Sequence, residues 1–195
     1  MLFTITELFD IIAMTALLGI IFMNLFKGLT KPKKYDPITQ YTRRFSFDWD
    51  AFKFSVIIVA PAIVLHELAH KFVALGYGLE ATFHAAYFWL LIGLALSLMN
   101  FPFIFFVPAY VSIAGEAEPL QYALTAGAGP FMNLLLWIGA LIVLKYRLVN
   151  KKYYPLIHLT KQINMFLFIF NMIPLGMFDG AKFFGGLFQY LSTVL

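Results

Sequence analysis

The sequence predicts an all-α polytopic membrane protein, a bundle of about six apolar segments with either a small β element or a re-entrant hairpin. The first observation is composition: 62% of the 195 residues are hydrophobic and 12% are charged, whereas a soluble domain is nearer half apolar and a quarter charged. The second is that long apolar stretches alternate with polar, basic loops. Cysteine is absent, which excludes disulfides and cysteine-ligated metal sites.

The apolar segments follow one another along a chain without internal repeats. They cover residues 11–26, about 52–75, 84–113, about 120–144, about 153–174 and 181–195. The third is too long for one simple helix and is broken at Asn100, Pro102 and Pro108, where a helix kinks or ends. The last is short for a full crossing. We therefore expect one integral-membrane domain over residues 1–195.

The motif "VLHELAH", residues 64–70, places three ionisable side chains inside the second apolar segment. His66 and His70 are four residues apart, so on a helix they lie on one face, one turn from each other. Two imidazoles at this spacing can bind one zinc ion, with Glu67 placed to act on a water at the metal. The alternative is a pair of buried histidines that bond to backbone carbonyls or line a water-filled cavity. Ionisable groups inside a membrane are rare and usually functional, which favours a metal site.

A catalytic zinc site usually has three protein ligands and one open position, so a third ligand is needed. The chain has five aspartates, and only Asp179, in "NMIPLGMFDGAK", lies at the end of a later apolar segment. Pro174 stops the fifth segment, and the neighbouring glycines permit a loop that can bend toward a metal. An N-cap for the last segment is an equally good assignment for Asp179. His84 and His158 are weaker candidates for additional ligands.

Three motifs together resemble the site-2 protease family of intramembrane zinc metalloproteases, in its compact prokaryotic or archaeal form. The first is "HELAH". The second is "AGAGPFMN", which is similar to the family's Gly-Pro-x-x-Asn helix start and ends at Asn133. The third is "NMIPLGMFDG", which is similar to an Asn-x-x-Pro element ending in Asp-Gly and contains Asp179. The motifs occur in the family's order and together span residues 66–180.

The resemblance implies an intramembrane zinc metalloprotease with one zinc ion per chain, bound by His66, His70 and Asp179. Glu67 is then the general base of peptide-bond hydrolysis. Asn133 is then a polar helper near the metal that binds the substrate backbone or the oxyanion, whereas an interhelical hydrogen bond is the alternative role for this amide. The implied catalytic core covers about residues 52–180 and opens to water through a polar cleft beside Glu67. The implied substrates are transmembrane proteins, unwound locally because a helix hides its carbonyls in its own hydrogen bonds.

A short strand is predicted by "PAYVSIAG", residues 108–115, because β-branched residues alternate with small ones before a glycine. The stretch "GLEATFHAAYF" can supply its partner strand, and an ordinary connecting loop is the alternative. The resemblance implies a membrane-associated β structure here, to which an unwound substrate adds as a further strand. The main departure from the family is an apolar insertion at about residues 87–107, which can form a re-entrant hairpin, a lid or an extra span.

Charge gives information about topology. Basic residues cluster in residues 27–53 and 145–152, and the positive-inside rule places both loops in the cytoplasm. They share a side only if the third apolar segment returns to the side it entered from, which favours a hairpin. The rule then places the metal toward the outer face, whereas the family resemblance places it toward the cytosolic side, and we favour the latter slightly.

The remaining expectations concern partners. The net charge of +4 lies in loops beside the spans and indicates topology or contact with anionic lipid of the bilayer, not nucleic acid. The resemblance implies a multi-pass protein in the cell membrane of a prokaryote. The oligomeric state is not predicted.

Two other functions fit part of the pattern. A metal transporter or metal sensor would also place histidines and an aspartate in the bilayer, but would not need Glu67 beside His66 or the two further motifs. An inactive relative that binds transmembrane helices without cutting them would not need the complete metal set. Loss of Glu67 separates these functions, because it abolishes cleavage by a protease and leaves metal binding intact.

Overall fold

The computed structural model describes residues 2–30, 47–101, 107–176 and 178–194. Within these residues it contains six α-helices and a two-stranded sheet. The helices are α1 (Ile5–Thr30), α2 (Trp49–Gly76), α3 (Tyr87–Leu98), α4 (Pro119–Lys145), α5 (Tyr154–Asn171) and α6 (Asp179–Val194), and the strands are β1 (Glu80–Ala85) and β2 (Ala109–Ala114). The predicted architecture, helical with a small β element, is confirmed.

Three of the described helices, α1, α2 and α4, are long and apolar enough to cross a membrane. Helix α5 was expected to be a further span, but it has 18 residues and carries Lys161, Gln162 and Asn164 near its centre. These polar residues lower its mean hydropathy, and α5 is not among the three candidate spans. Helix α6 has 16 residues, fewer than the roughly 20 that a full crossing needs. The structure is therefore that of a membrane protein with three long apolar helices.

Helix α1 begins at Ile5, earlier than the apolar stretch at residue 11, and its first turns carry two acidic residues. Glu7 and Asp10 are only 2% and 6% exposed. Asp10 accepts hydrogen bonds from the Tyr87 hydroxyl at 2.6 Å and from the backbone N–H of Ala85 at 3.2 Å. The bond from Tyr87 to this carboxylate raises the pKa of Tyr87 to about 12. Distant partners thus make acidic residues tolerable inside this helix.

Strands β1 and β2 pair antiparallel, with Glu80 opposite Ala114, so both predicted strands are confirmed. The chain leaves β1, forms α3 and returns beside its point of departure, where the N–H of Ala86 donates to the carbonyl of Pro108 at 3.0 Å. Helix α3 has 12 residues and is about 18 Å long, too short for a hydrocarbon core of about 30 Å. The apolar insertion therefore returns as a hairpin would, although residues 102–106 lie outside the described part of the chain.

The main hydrophobic core lies between α1, α2, α3 and the sheet. Its buried members are Met14, Leu18, Ile21, Phe26, Ile58, Val59, Phe83, Ala85, Leu90 and Ala109. A hydrogen bond joins α3 to α1: the hydroxyl of Ser97 donates to the carbonyl of Ile21 at 2.6 Å.

The ends of α1 and α4 lie together. Leu29, Leu144 and Tyr154 line one shallow pocket, so the basic segments that follow α1 and α4 begin at the same end of the bundle. The sheet lies at the other end of α1, where Glu7 contacts Phe83 of β1. This arrangement agrees with the hairpin that the charge pattern favoured.

Candidate metal centre

Four sequence-predicted site residues come together at the junction of α2, α4 and α6. His66, Glu67 and His70 lie in the C-terminal half of α2 and are 6%, 9% and 7% exposed. Asp179 is the first residue of α6, and its Oδ2 lies 3.1 Å from Nε2 of His66 and 3.3 Å from Nε2 of His70. The two Nε2 atoms are 3.2 Å apart. The proline and glycine residues before α6 let the chain turn so that Asp179 reaches His66, which lies 113 positions earlier in the sequence.

The distances fit a tetrahedral ion. Bonds of about 2.0 to 2.1 Å to zinc place neighbouring ligand atoms about 3.3 to 3.4 Å apart, and the three atoms here form a triangle with edges of 3.1, 3.2 and 3.3 Å. Among the described residues, these three side chains form the cluster that could hold a metal ion. His66, His70 and Asp179 therefore have the geometry and the donor types of a zinc site with one open position.

The hydrogen bonds at the other ring nitrogens support this assignment. Nδ1 of His70 lies 2.8 Å from the carbonyl oxygen of Thr125, which can only accept, so Nδ1 carries the hydrogen. Nδ1 of His66 lies 2.6 Å from Oδ1 of Asn133, which also accepts. In each ring the other nitrogen, Nε2, then faces the Asp179 carboxylate. A ring nitrogen held by an acceptor in this way is the usual arrangement of a metal-binding histidine, whose second nitrogen binds the ion.

The motif "AGAGPFMN" lies in the interior of α4, which begins at Pro119, and not at a helix start. Gly129 packs directly on the two imidazoles: a methyl group there would lie 2.6 Å from Nε2 of His66, closer than any real contact. Glycine at this position is thus required by the close approach of α4 to the site. The following Pro130 is buried inside the helix.

Asn133 contacts His66 at Nδ1, the ring nitrogen that does not face Asp179, and is fully buried. Its two amide hydrogens are donated to the carbonyl of Ala62 and to Oδ1 of Asn164, both at 2.9 Å, while its oxygen faces His66. The side chain therefore bridges helices and touches a candidate ligand at the same time. It is not among the residues that line the cavity described next.

A cavity of about 770 Å³ opens beside the cluster. Its polar wall includes Glu67, both histidines, Asp179 and Lys182, and strand β2 forms another wall. Most of the remaining lining is apolar and comes mainly from α1, α2 and α5, although Gln162 and Asn171 of α5 and Thr125 of α4 also line the cavity. The cleft beside Glu67 therefore exists, and it is polar at the cluster and mostly apolar elsewhere.

The two weaker ligand candidates lie elsewhere. His84 is on the outer face of the sheet, with Nε2 2.9 Å from the hydroxyl of Ser112. His158 lines the shallow pocket at the other end of the bundle with Leu29 and Leu144. Neither belongs to the cluster within the described residues.

Sequence reasoning missed two residues of this region. Lys182 follows Asp179 by three positions and lies on the same face of α6, so a search for charged residues one turn from a ligand would have found it. Asn164 lies near the centre of α5, two residues after Gln162, and is 0% exposed. Its burial results from the packing of α5 against α4, which a single sequence does not show.

Comparison with known proteins gives the family. A protein of Methanocaldococcus jannaschii named "putative zinc metalloprotease MJ0611" is 34% identical to this chain over 132 residues, which are 67% of the chain and 69% of that protein. The chain belongs to this family of zinc metalloproteases. A second relative from the same organism, "zinc metalloprotease MJ0392", is 28% identical over 127 residues, which are 65% of the chain and only 32% of that relative.

No family model matches the chain, and no solved structure gives a significant match. The names of the two relatives imply zinc, and a zinc metalloprotease needs the ligand types that His66, His70 and Asp179 offer in one place.

Proposed function

We propose that this zinc metalloprotease is an intramembrane protease of the site-2 type, which hydrolyses peptide bonds within or near transmembrane segments of other membrane proteins. One observation supports this proposal most directly. A cavity inside a bundle with three membrane-length helices is lined by His66, Glu67, His70 and Asp179. In this proposal residues 1–195 form one multi-pass domain in a prokaryotic cell membrane, with one zinc ion per chain and residues 52–180 as the catalytic core.

The depth of the site supports cleavage inside the bilayer. Helix α2 has 28 residues and is about 42 Å long, and Glu67 lies about 27 Å from its start and 14 Å from its end. A hydrocarbon core of about 30 Å that α2 crosses therefore includes the site or ends close to it. The apolar part of the cavity wall suits a transmembrane segment, and its polar part suits water and the peptide group.

The chemistry follows from the residues at the cleft. A zinc ion held by His66, His70 and Asp179 would supply Lewis-acid chemistry at the cleft, making water more acidic and polarising the scissile carbonyl. Glu67 lines the cavity beside the ligands, takes the proton of the attacking water and returns it to the leaving amine. Lys182 lines the same cavity and adds positive charge where the oxyanion forms.

The sheet offers a place for an unwound substrate. The N–H groups of Phe83 and Ala85 donate to carboxylates of α1, so these residues direct their backbone groups away from β2. In an antiparallel ladder, the residues opposite them direct theirs away from β1. Val111 lies opposite Phe83 and Ala109 lies opposite Ala85.

The outer edge of β2 therefore presents the backbone groups of Ala109, Val111 and Ile113. All three residues line the cavity, and in the described part of the chain no other strand pairs with this edge. The other edge of the sheet is covered by α1. We assign the free edge of β2 to the backbone of the substrate, which adds as a third strand.

Replacing Val111 by proline tests the edge, because proline removes an outward N–H and leaves the N–H groups that pair with β1. We expect kcat/KM for a single-span substrate to fall by roughly 3- to 10-fold, the equivalent of one hydrogen bond. The matched control is Val111→Ala, which trims the side chain and keeps the N–H. Zinc content and thermal stability are measured on both. Equal cleavage by the two variants would place the substrate elsewhere.

The proposed function itself is tested with a generic single-span substrate in liposomes. We expect the wild type to cut it, a zinc chelator to stop cleavage and added zinc to restore it. If the protein binds zinc but leaves several such substrates intact, the protease proposal fails. A metal transporter or sensor, or a relative that binds helices without cutting them, would then be the better assignment.

A further inference from the structure

A chain of side-chain amides leads from α5 to the candidate metal centre. Asn164 donates its Nδ2 hydrogen to the carbonyl oxygen of Thr160 at 2.8 Å. Its Oδ1 accepts from Nδ2 of Asn133 at 2.9 Å, and Oδ1 of Asn133 lies 2.6 Å from Nδ1 of His66. Asn164 and Asn133 are both 0% exposed, so water does not compete for these bonds.

The carbonyl of Thr160, the partner farthest from the metal centre, fixes which group donates and which accepts along this series of amides. A backbone carbonyl can only accept, so Asn164 must turn its NH₂ group to Thr160 and its oxygen to Asn133. Asn133 must then present its NH₂ group, and its second amide hydrogen goes to another pure acceptor, the carbonyl of Ala62, at 2.9 Å. The oxygen of Asn133 is left for His66, whose Nδ1 must carry the hydrogen. The other ring nitrogen, Nε2, faces His70 and Asp179 and is the atom that the ring can offer to a metal ion.

We propose that Asn164 is a positioning residue for the metal centre, which holds Asn133 in the orientation that directs Nε2 of His66 to the ion. The proposal rests on the ligand set of the proposed function. It does not require that the protein cuts any substrate. It also gives a reason for a buried amide in α5, a helix that packs against α4 and supplies no ligand to the cluster.

His70 provides an internal comparison. Its Nδ1 hydrogen is held directly by the carbonyl of Thr125 at 2.8 Å, without any side chain between. Loss of Asn164 should therefore affect the ring of His66 and spare the ring of His70. A general loss of packing would affect both.

The test uses the full-length protein in detergent with Asn164→Leu, which is similar in size and has no polar atoms. We expect zinc affinity to fall by about 10-fold, at the lower end of the range for partners of metal ligands. In the metal-free protein, nitrogen NMR of the histidine side chains should show a second tautomer at His66 only. Thr160→Val is the matched control, because it changes the same helix and keeps the carbonyl that Asn164 uses.

A double variant shows whether Asn164 acts through Asn133. Asn133→Leu alone should weaken zinc binding at least as much as Asn164→Leu, and adding Asn164→Leu to it should cause no further loss. Additive losses, equal changes at His66 and His70, or zinc binding by Asn164→Leu equal to that of Thr160→Val would each overturn the proposal. Because the readouts are affinity and tautomer, they stand even if the protein proves not to be a protease.

Discussion

Replacing Glu67 by glutamine is expected to reduce cleavage by roughly 10²- to 10⁴-fold or more, the range attributed to a general acid–base group, and to leave zinc binding unchanged. Glutamine has nearly the same shape but cannot take a proton from water. Glu67 lies next to His66 in α2 and lines the cavity, yet it is not part of the cluster of potential ligands. The variant therefore separates the chemical step from metal binding.

The measurement is the rate of cleavage of a single-span substrate in liposomes, with the zinc content of the same samples determined in parallel. Asp50→Asn is the matched control, because it makes the same chemical change in the same helix at an exposed position. Substantial cleavage by Glu67→Gln would require another general base. Loss of zinc together with activity would make Glu67 a ligand.

Local patterns in the sequence predicted those parts of the site that lie close together along the chain. The four-residue spacing of His66 and His70 was sufficient to place both rings on one face of a helix, and the structure brings Asp179 to the same point. The alternation in "PAYVSIAG" predicted β2 for the same reason, since the period of a strand is visible over a few residues. The family resemblance supplied the pairing of distant motifs that periodicity cannot supply.

The rest depends on contacts between residues far apart in the sequence. The first apolar segment was placed at residues 11–26, whereas α1 begins at Ile5 and includes Glu7, whose cation lies 64 positions away. Asn164 is paired with an amide 31 positions earlier. A single sequence does not show such pairs, so the start of α1 and the polar centre of α5 were misjudged.

The second large effect is expected at the buried ion pair of Glu7 and Lys71. The ammonium of Lys71 contacts Oε1 of Glu7 and donates to the carbonyl of Ala81 at 2.7 Å. The same carboxylate oxygen accepts from the N–H of Phe83 at 2.7 Å. Lys71 is 1% exposed and Glu7 is 2% exposed. The pair therefore joins α1, the metal-site helix α2 and strand β1 at one point.

Lys71→Met should lower the free energy of unfolding by about 3 to 5 kcal/mol, because it leaves the Glu7 carboxylate buried without a counter-charge. Equilibrium unfolding in detergent micelles measures this change. Lys53→Met, an exposed lysine of the same helix, is the control and should stay within about 0.5 kcal/mol of the wild type. A loss of less than about 1 kcal/mol in Lys71→Met, the size of an exposed pair, would contradict the prediction.

The double variant Glu7→Gln with Lys71→Met decides what the pair contributes. Glutamine can still accept from the N–H of Phe83, and no uncompensated charge remains, so much of the lost stability should return. If stability returns while cleavage stays low, the charged pair serves mainly to position the sheet. Lys71 is the residue after His70, and the pair connects it to β1, which is hydrogen-bonded to β2. If cleavage returns as well, neutral hydrogen bonds hold the edge of β2 at its distance from the metal centre, and the charges themselves are dispensable.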